Sequence, residues 1–326
     1  MKAKTIKAIL RKKLDAWLST LPEWLREKAR ANTIVTGGCI ASMLLKEKVN
    51  DIDIYFRDFE TARDIAKHYV ERFKAERTAA SAGGVEVPIF VQVMNGTERD
   101  DNPDQSRPGR IRIVAKSAGI ATTEQVEQPY EYFESRPPEE AGDYVSEIMD
   151  DPGDIVDKLN DTMEAVAGDT QPPYRPVFLS TNAITLSNAV QLIVRFYGEP
   201  DEIHENYDFV HCTNYYDGGS GELVLRKEAL EALLARELRY VGSKYPLCSI
   251  IRVRKFVGRG WTINAGQILK MCIQLNGMNL LDPIVLEEQL TGVDVAYFAQ
   301  IISAVKQANP EAVNAAYLVE IIDRMF

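Results

Sequence analysis

Two aspartates, Asp51 and Asp53, alternate with apolar residues in Asp51-Ile52-Asp53-Ile54 and are the chain's main candidates for metal chemistry. Because side chains of a strand alternate between its two faces, both carboxylates would share one face while the isoleucines are buried on the other. Carboxylate oxygens are the hard ligands that Mg²⁺ and Mn²⁺ prefer. The spacing therefore predicts a strand that holds a divalent cation.

A glycine pair, Gly37-Gly38, precedes this strand and follows the apolar residues Ile34-Val35. The apolar run from Ile40 to Leu45 comes next and has the composition of a short helix. Glycines between a strand and a helix allow backbone amides at the helix start to approach a phosphate closely. The pattern predicts a triphosphate cradle beside the two aspartates.

The elements that must position these residues follow from periodicity. Two helices precede the glycine pair, and a longer helix follows the aspartate strand. The predicted bounds are helices Ile6–Leu18, Pro22–Ala31, Ile40–Lys46 and Glu60–Lys74, and strands Thr33–Val35 and Asn50–Phe56.

The rest of the chain divides into a strand-rich part and a helical part. Strands are predicted at Val85–Met94, Arg110–Ala115, Pro176–Leu186, Val190–Phe196 and Tyr207–Tyr215. From Lys227 onward the pattern is helical, with helices at 250–257, 267–274, 283–289, 293–306 and 311–325.

Composition excludes two classes of protein. The 326 residues contain no apolar run near the roughly 20 that a membrane-spanning helix needs, and the start lacks a signal-like apolar centre. The four cysteines are scattered singly, which is not typical of a disulfide framework or a metal site. We expect a cytoplasmic protein with reduced, buried thiols, located in the host cytoplasm if a phage encodes it.

Charge is distributed unevenly although the net value is −10. An acidic insertion of about 96–175 contains most of the excess carboxylates, whereas 226–270 has ten basic and three acidic residues. Phosphate contacts need lysine and arginine, so the basic stretch could follow an RNA backbone. A solvated helix face explains the same stretch equally well.

In order and spacing, the glycine pair and the aspartates resemble the signature of the polymerase-β-type nucleotidyltransferase superfamily. Two later segments resemble motifs of its tRNA nucleotidyltransferase and poly(A) polymerase family. They are Gly198–Phe209, which contains Asp208, and the stretch from Leu238 through the arginine-bearing Ile250–Phe256 to Gly260-Trp261-Thr262-Ile263. The chain departs from the family where Ala41, Ser42, Asn206 and Tyr207 replace its usual charged residues.

The resemblance implies roles for particular residues. Asp51, Asp53 and Asp208 would be the catalytic carboxylates and the ligands of Mg²⁺ or Mn²⁺, with Glu86 as the alternative third carboxylate. The nucleoside triphosphate, for example ATP, would be bound by Gly37, Gly38, Ser42, Arg252 and Arg254.

The fold that the resemblance implies is α+β: a palm-like mixed sheet with flanking helices, followed by an all-helical C-terminal domain. The expected boundaries are 1–31 for an N-terminal helical pair, 32–225 for a nucleotidyltransferase domain that includes the acidic insertion, and 226–326 for the helical domain.

The expected function is metal-dependent transfer of a nucleoside monophosphate from an NTP to an acceptor, with an RNA 3′ end as the favoured acceptor. Transfer to a protein hydroxyl, as in toxin-like enzymes, is an alternative. A non-catalytic binding protein on the same fold is a third possibility, against which the presence of both Asp51 and Asp53 argues.

Overall fold

The computed structural model describes residues 1–80, 89–96, 108–117, 126–129, 172–180, 182–282, 285–286, 289 and 316. These residues divide into two compact units. The first unit contains the described residues up to 204 and those from 212 to 226. The second contains 205–211 and the described residues from 227 onward.

The first unit is built from five helices and ten strands among its described residues. The helices are α1 (Ala3–Ser19), α2 (Glu23–Asn32), α3 (Gly38–Leu45), α4 (Phe59–Ala80) and α5 (Pro200–His204). The strands are β1 (Thr33–Thr36), β2 (Ile52–Phe56), β3 (Ile89–Met94), β4 (Arg110–Ser117), β5 (Val126–Pro129), β6 (Pro176–Leu179), β7 (Ala183–Leu186), β8 (Val190–Tyr197), β9 (Tyr215–Asp217) and β10 (Leu223–Val224).

Seven strands form a mixed sheet in the order β10-β9-β1-β2-β8-β7-β6. Every neighbouring pair in it is antiparallel except β2 and β8, which are parallel. A separate antiparallel sheet has the order β3-β4-β5. The expected mixed α+β architecture is therefore confirmed at this level.

One face of the seven-stranded sheet packs on the core. Ile52 and Ile54 of β2 and Val190 and Leu192 of β8 are buried there, as the alternation of a strand requires. Trp17 of α1 donates its indole N–H to the Tyr69 hydroxyl of α4 at 2.9 Å inside the same core. The N-terminal helices therefore share a core with the sheet.

The second unit contains helices α6 (Lys227–Ala235), α7 (Pro246–Gly258) and α8 (Ala265–Asn276). Two isolated bridges, Phe209 with Tyr240 and Glu237 with Thr262, connect the segments around them. No helix among the described residues of either unit is both long and apolar enough to cross a membrane. The expected helices 293–306 and 311–325 lie almost entirely outside the described residues.

Two predicted strands were wrong. The run Pro176–Leu186 is a hairpin, β6 and β7, because the chain reverses where the backbone N–H of Ser180 donates to the carbonyl of Ala183 at 2.9 Å. The run Tyr207–Tyr215 is not one strand. Val210–Cys212 winds into a 3-10 turn and only Tyr215 enters the sheet, so the apolar residues are buried by local turns rather than by alternation.

Candidate functional site

The glycine pair lies where β1 passes into α3. Gly37 has φ 102° and ψ −157°, a backbone conformation that side chains other than hydrogen disfavour. Its N–H donates to the Cys212 carbonyl at 3.2 Å, which fixes the turn. A Cβ placed on Gly38 would meet no atom within 4 Å. The first turn of α3 therefore starts against open space, as a phosphate cradle requires.

The aspartates Asp51 and Asp53 lie at the start of β2. Asp51 is exposed and Asp53 half-buried, whereas Ile52 and Ile54 between and after them are buried. β1 and β2 are antiparallel neighbours, so the end of β1 that leads into α3 lies at the end of the sheet where β2 begins. The carboxylate pair, Asp51 and Asp53, thus adjoins the glycine turn, as the sequence predicted.

The Cys39 thiol shows that negative charge is concentrated at this place. Cys39 is the second residue of α3 and is buried. Burial raises the pKa of the Cys39 thiol well above its usual value, and the nearby charges of Asp53 and Asp51 raise it further. The carboxylates therefore act on the first turn of α3, where helix amides attract anions.

Asp208 and Arg252 belong to the second unit, and they form an ion pair with each other. Asp208 is buried and occupies a bend, not the strand that the sequence predicted. Its second oxygen, Oδ1, has no hydrogen-bond partner among the described residues. Glu86, the alternative third carboxylate, lies outside the described residues. Third-ligand roles for both remain predictions.

The other predicted nucleotide contacts are on helices. Ser42 is half-buried in the second turn of α3, and its carbonyl accepts the N–H of Glu47 at 2.9 Å. Arg254 is exposed on α7, on which Arg252 also lies. Ser42 therefore lies one turn from the glycine pair, whereas Arg254 belongs to the second unit.

No group of three or more His, Cys, Asp or Glu side chains in the described part of the chain is arranged to hold a metal ion. Of the three expected metal ligands, the first unit contains Asp51 and Asp53, whereas Asp208 belongs to the second unit. Two residues that the sequence did not single out, Gln191 and Thr185, lie on the same sheet face as Asp53 by strand register. Their place in the sheet depends on long-range pairing, which no local pattern reveals.

A comparison with protein families finds one matching model. Residues 8–236 match the family described as "Gad2: Gabija anti-defense 2 family protein". No curated protein and no solved structure matches the chain. This match overturns the assignment to the polymerase-β-type superfamily. The motifs that suggested the assignment are short, and the segment around Asp208 does not form the strand that made Asp208 the candidate third carboxylate.

Proposed function

The chain belongs to the Gabija anti-defense 2 family, and we propose that it counteracts Gabija defence as a metal-dependent enzyme that transfers a nucleoside monophosphate from an NTP. The acceptor that we favour is a protein of that defence system. Such an activity would be exerted inside the host cell, where a bacterial target is accessible.

One observation carries the proposal: the first turn of α3 and the carboxylate pair adjoin each other. A helix start attracts an anion, while Asp51 and Asp53 repel one. The buried Cys39 thiol lies in the first turn of α3, and the negative charges of Asp51 and Asp53 both raise its pKa. A bare phosphate satisfies only the helix and a bare cation only the carboxylates, whereas a metal–triphosphate complex satisfies both. The arrangement therefore supports binding of a metal–NTP.

The chemistry follows from where the charges lie. In nucleotidyl transfer, an acceptor oxygen attacks the α-phosphorus while the bond to pyrophosphate breaks, and negative charge increases on the departing oxygens. Cations held by Asp51 and Asp53 would neutralise that charge and orient the acceptor. The amides following Gly37 would hold the triphosphate during the displacement.

RNA is a second candidate acceptor because two exposed arginines, Arg254 within α7 and Arg259 at its C-cap, face solvent. Exposed arginines contact phosphates readily, and α7 also contains Lys255 in its last turn. The matched family is described by its action against Gabija defence and not by any action on RNA, so RNA is the weaker candidate.

The test is incorporation of label from each α-³²P-NTP, with Mg²⁺ or Mn²⁺, into purified Gabija proteins or into total RNA. We expect label in a Gabija protein with the wild-type chain and none with Asp53→Asn. Label in RNA alone would support the second acceptor. Protection against Gabija by both the wild type and Asp53→Asn, without label anywhere, would contradict the enzymatic proposal and leave a binding protein.

A further inference from the structure

Helix α8 of the second unit turns polar residues toward its own unit. The side-chain oxygen of Gln267 accepts the backbone N–H of Tyr240 at 2.9 Å. One turn pair further along, the side-chain amide of Gln274 donates to the Ser243 carbonyl at 2.6 Å. Met271, which lies between the two glutamines, is buried. These contacts fix which side of α8 faces inward.

The opposite side of α8 is apolar and exposed. Residues three and four apart lie on one side of a helix, and those on the side away from the glutamines are Ala265, Ile268, Leu269, Cys272 and Ile273. We call these five exposed residues the α8 stripe. Its largest members are well exposed, Leu269 to 59% and Ile273 to 66%. A surface helix normally buries its apolar side, so an exposed one indicates an interaction site.

The segment that contains the α8 stripe is positively charged. Residues 238–281 include seven lysines and arginines and no aspartate or glutamate. Arg239 and Arg252 pair with carboxylates outside this segment. Lys270, by contrast, is exposed on α8 and lies beside the stripe, three residues from Ile273. A second copy of the chain would bring like charges together, whereas an acidic partner would be attracted.

We propose that the α8 stripe binds a protein of the Gabija system, at an apolar groove on that protein whose rim carries carboxylates. The chain belongs to a family described by its action against Gabija. A helix that inserts residues spaced three and four apart into a groove is a common mode of protein recognition. The inference rests on the part of the proposed function that names a Gabija protein as the acceptor. Such docking would raise the effective concentration of the acceptor hydroxyl.

Binding of purified Gabija proteins to the full chain, measured by biolayer interferometry, tests the inference. Leu269→Gln together with Ile273→Gln should weaken binding at least tenfold, because both side chains would lose their apolar contacts. Lys270→Glu should weaken it severalfold, because it brings a negative charge to the acidic rim. The matched control is Leu234→Gln, the same change at a leucine of α6 that is 88% exposed, and it should leave binding unchanged.

Melting temperature and mass separate this partner from other occupants of the stripe. The double variant Leu269→Gln/Ile273→Gln should melt at the wild-type temperature and keep the wild-type mass in sedimentation. A melting temperature several degrees lower would show that the chain itself covers the stripe, and a lower mass would show that a second copy does. Either result overturns the proposal. Binding that the double variant leaves unchanged, that Leu234→Gln weakens equally or that Lys270→Glu strengthens also overturns it.

Label transfer distinguishes a failure of this inference from a failure of the proposed function. Asp53→Asn should bind the Gabija protein as tightly as the wild type but transfer no label. The double variant should bind NTP normally but label the Gabija protein less. If it labels as well as the wild type, the docking site is wrong and the proposed function stands. If the wild type binds through the stripe but labels nothing, the docking site stands and the proposed transfer fails.

Discussion

The side chains of Thr36 and His204 contact each other although they lie far apart in the sequence: Oγ1 of Thr36 is 2.8 Å from Nε2 of His204. The Thr36 hydroxyl also lies 2.9 Å from the Asn214 carbonyl oxygen, to which it donates its single hydrogen. His204 must therefore donate Nε2–H to Thr36, which fixes its neutral tautomer. Because Thr36 directly precedes Gly37, this contact holds the end of β1 in place for the glycine turn.

The buried state of His204 predicts a loss of stability in acid. Burial, with a smaller effect of Arg226, lowers the pKa of His204 to about 4. The unfolded chain takes up this proton near pH 6.5, so the contribution is complete above that pH and lost as the pH falls toward 4. At pH 5 the loss amounts to about 2 kcal/mol.

His204→Gln tests this, because glutamine can still donate an N–H to Thr36 but does not titrate. Lowering the pH from 7.5 to 5.0 should reduce the free energy of unfolding of both proteins. This reduction should be about 2 kcal/mol smaller in the variant than in the wild type. Burial also lowers the pKa of His211 in the second unit to about 4. Because His211 is present in both proteins, it contributes equally to the pH dependence of each. Equal pH sensitivity of variant and wild type would refute the assignment to His204.

Substitutions of Asp53 and Asp58 should have opposite effects: one should abolish transfer without lowering stability, and the other should lower stability without abolishing transfer. Asp53→Asn removes a charge from the carboxylate pair without opening a cavity, so transfer should be lost while the melting temperature is kept or slightly raised. Asp58 precedes α4, and its Oδ1 accepts the backbone N–H of Thr61 at 2.6 Å.

Asp58→Ala should therefore lower stability by about 1 kcal/mol through loss of the helix cap while transfer is retained. Asp51→Ala should behave like Asp53→Asn. Thermal melting and NTP incorporation, measured on all three variants, check the prediction. Normal incorporation by either site variant would remove the carboxylates from the mechanism.

The two glycines of the turn should respond differently to alanine. Gly37→Ala places a side chain at φ 102°, which costs about 1–3 kcal/mol of strain. Gly38→Ala meets no neighbour within 4 Å and adds a better helix former, so stability should be unchanged or slightly higher.

The methyl group that Gly38→Ala introduces would nevertheless occupy the open space in front of α3, where the triphosphate is proposed to bind. NTP affinity, measured by titration calorimetry, should fall at least tenfold in the stable Gly38→Ala protein. Unchanged affinity there would show that the phosphates bind elsewhere.

The pair Asp208 and Arg252 tests whether the buried carboxylate is structural or catalytic. Arg252→Leu removes the guanidinium from Asp208, whose side chain is 5% exposed. An uncompensated buried carboxylate costs about 3–5 kcal/mol. Adding Asp208→Asn should recover most of that stability.

Activity of the double variant then decides the role of Asp208. Loss of transfer in a protein of near wild-type stability supports the predicted metal ligand. Retained transfer assigns Asp208 to the ion pair alone. Circular dichroism melts and NTP incorporation provide the two measurements.

If RNA is the acceptor, its affinity should depend on the exposed arginines of the second unit. Arg254→Gln together with Arg259→Gln should reduce the slope of log affinity against log salt by about 0.7–0.9 for each lost phosphate contact. Arg11→Gln, an exposed arginine on α1, is the matched control and should not change the slope. Filter binding at several salt concentrations measures it, and a wild type without salt-sensitive binding would eliminate RNA.

Local patterns predicted most elements that lie close in sequence. Strand β1, the helix after the glycines and the aspartate strand all appear within a few residues of their expected bounds, because each buries its own periodic apolar face. The Tyr207–Tyr215 run misled because its apolar residues are buried by turns. The exposed Cys272 likewise departs from the expectation of buried thiols.

The register of the sheet could not be predicted in this way. Alternation alone predicts that Gln191 and Leu192 lie on different faces of the sheet. Only the pairing of β2 with β8 places Gln191 beside Asp53. Pairing between distant strands is set by the whole core rather than by neighbouring residues. The carboxylates were therefore visible in the sequence, whereas the amide and hydroxyl beside them were not.

The parallel pairing of β2 with β8 also determines when the site can form during synthesis. Ile52 pairs with Val190, so β2 leaves the ribosome long before its partner is made. Parallel neighbours close a large loop at a high entropic cost, which slows their association. The nascent chain thus carries the glycine turn and both carboxylates without β8 beside them. The seven-stranded sheet around the carboxylate pair should consequently close late in translation, only after residue 197 has emerged.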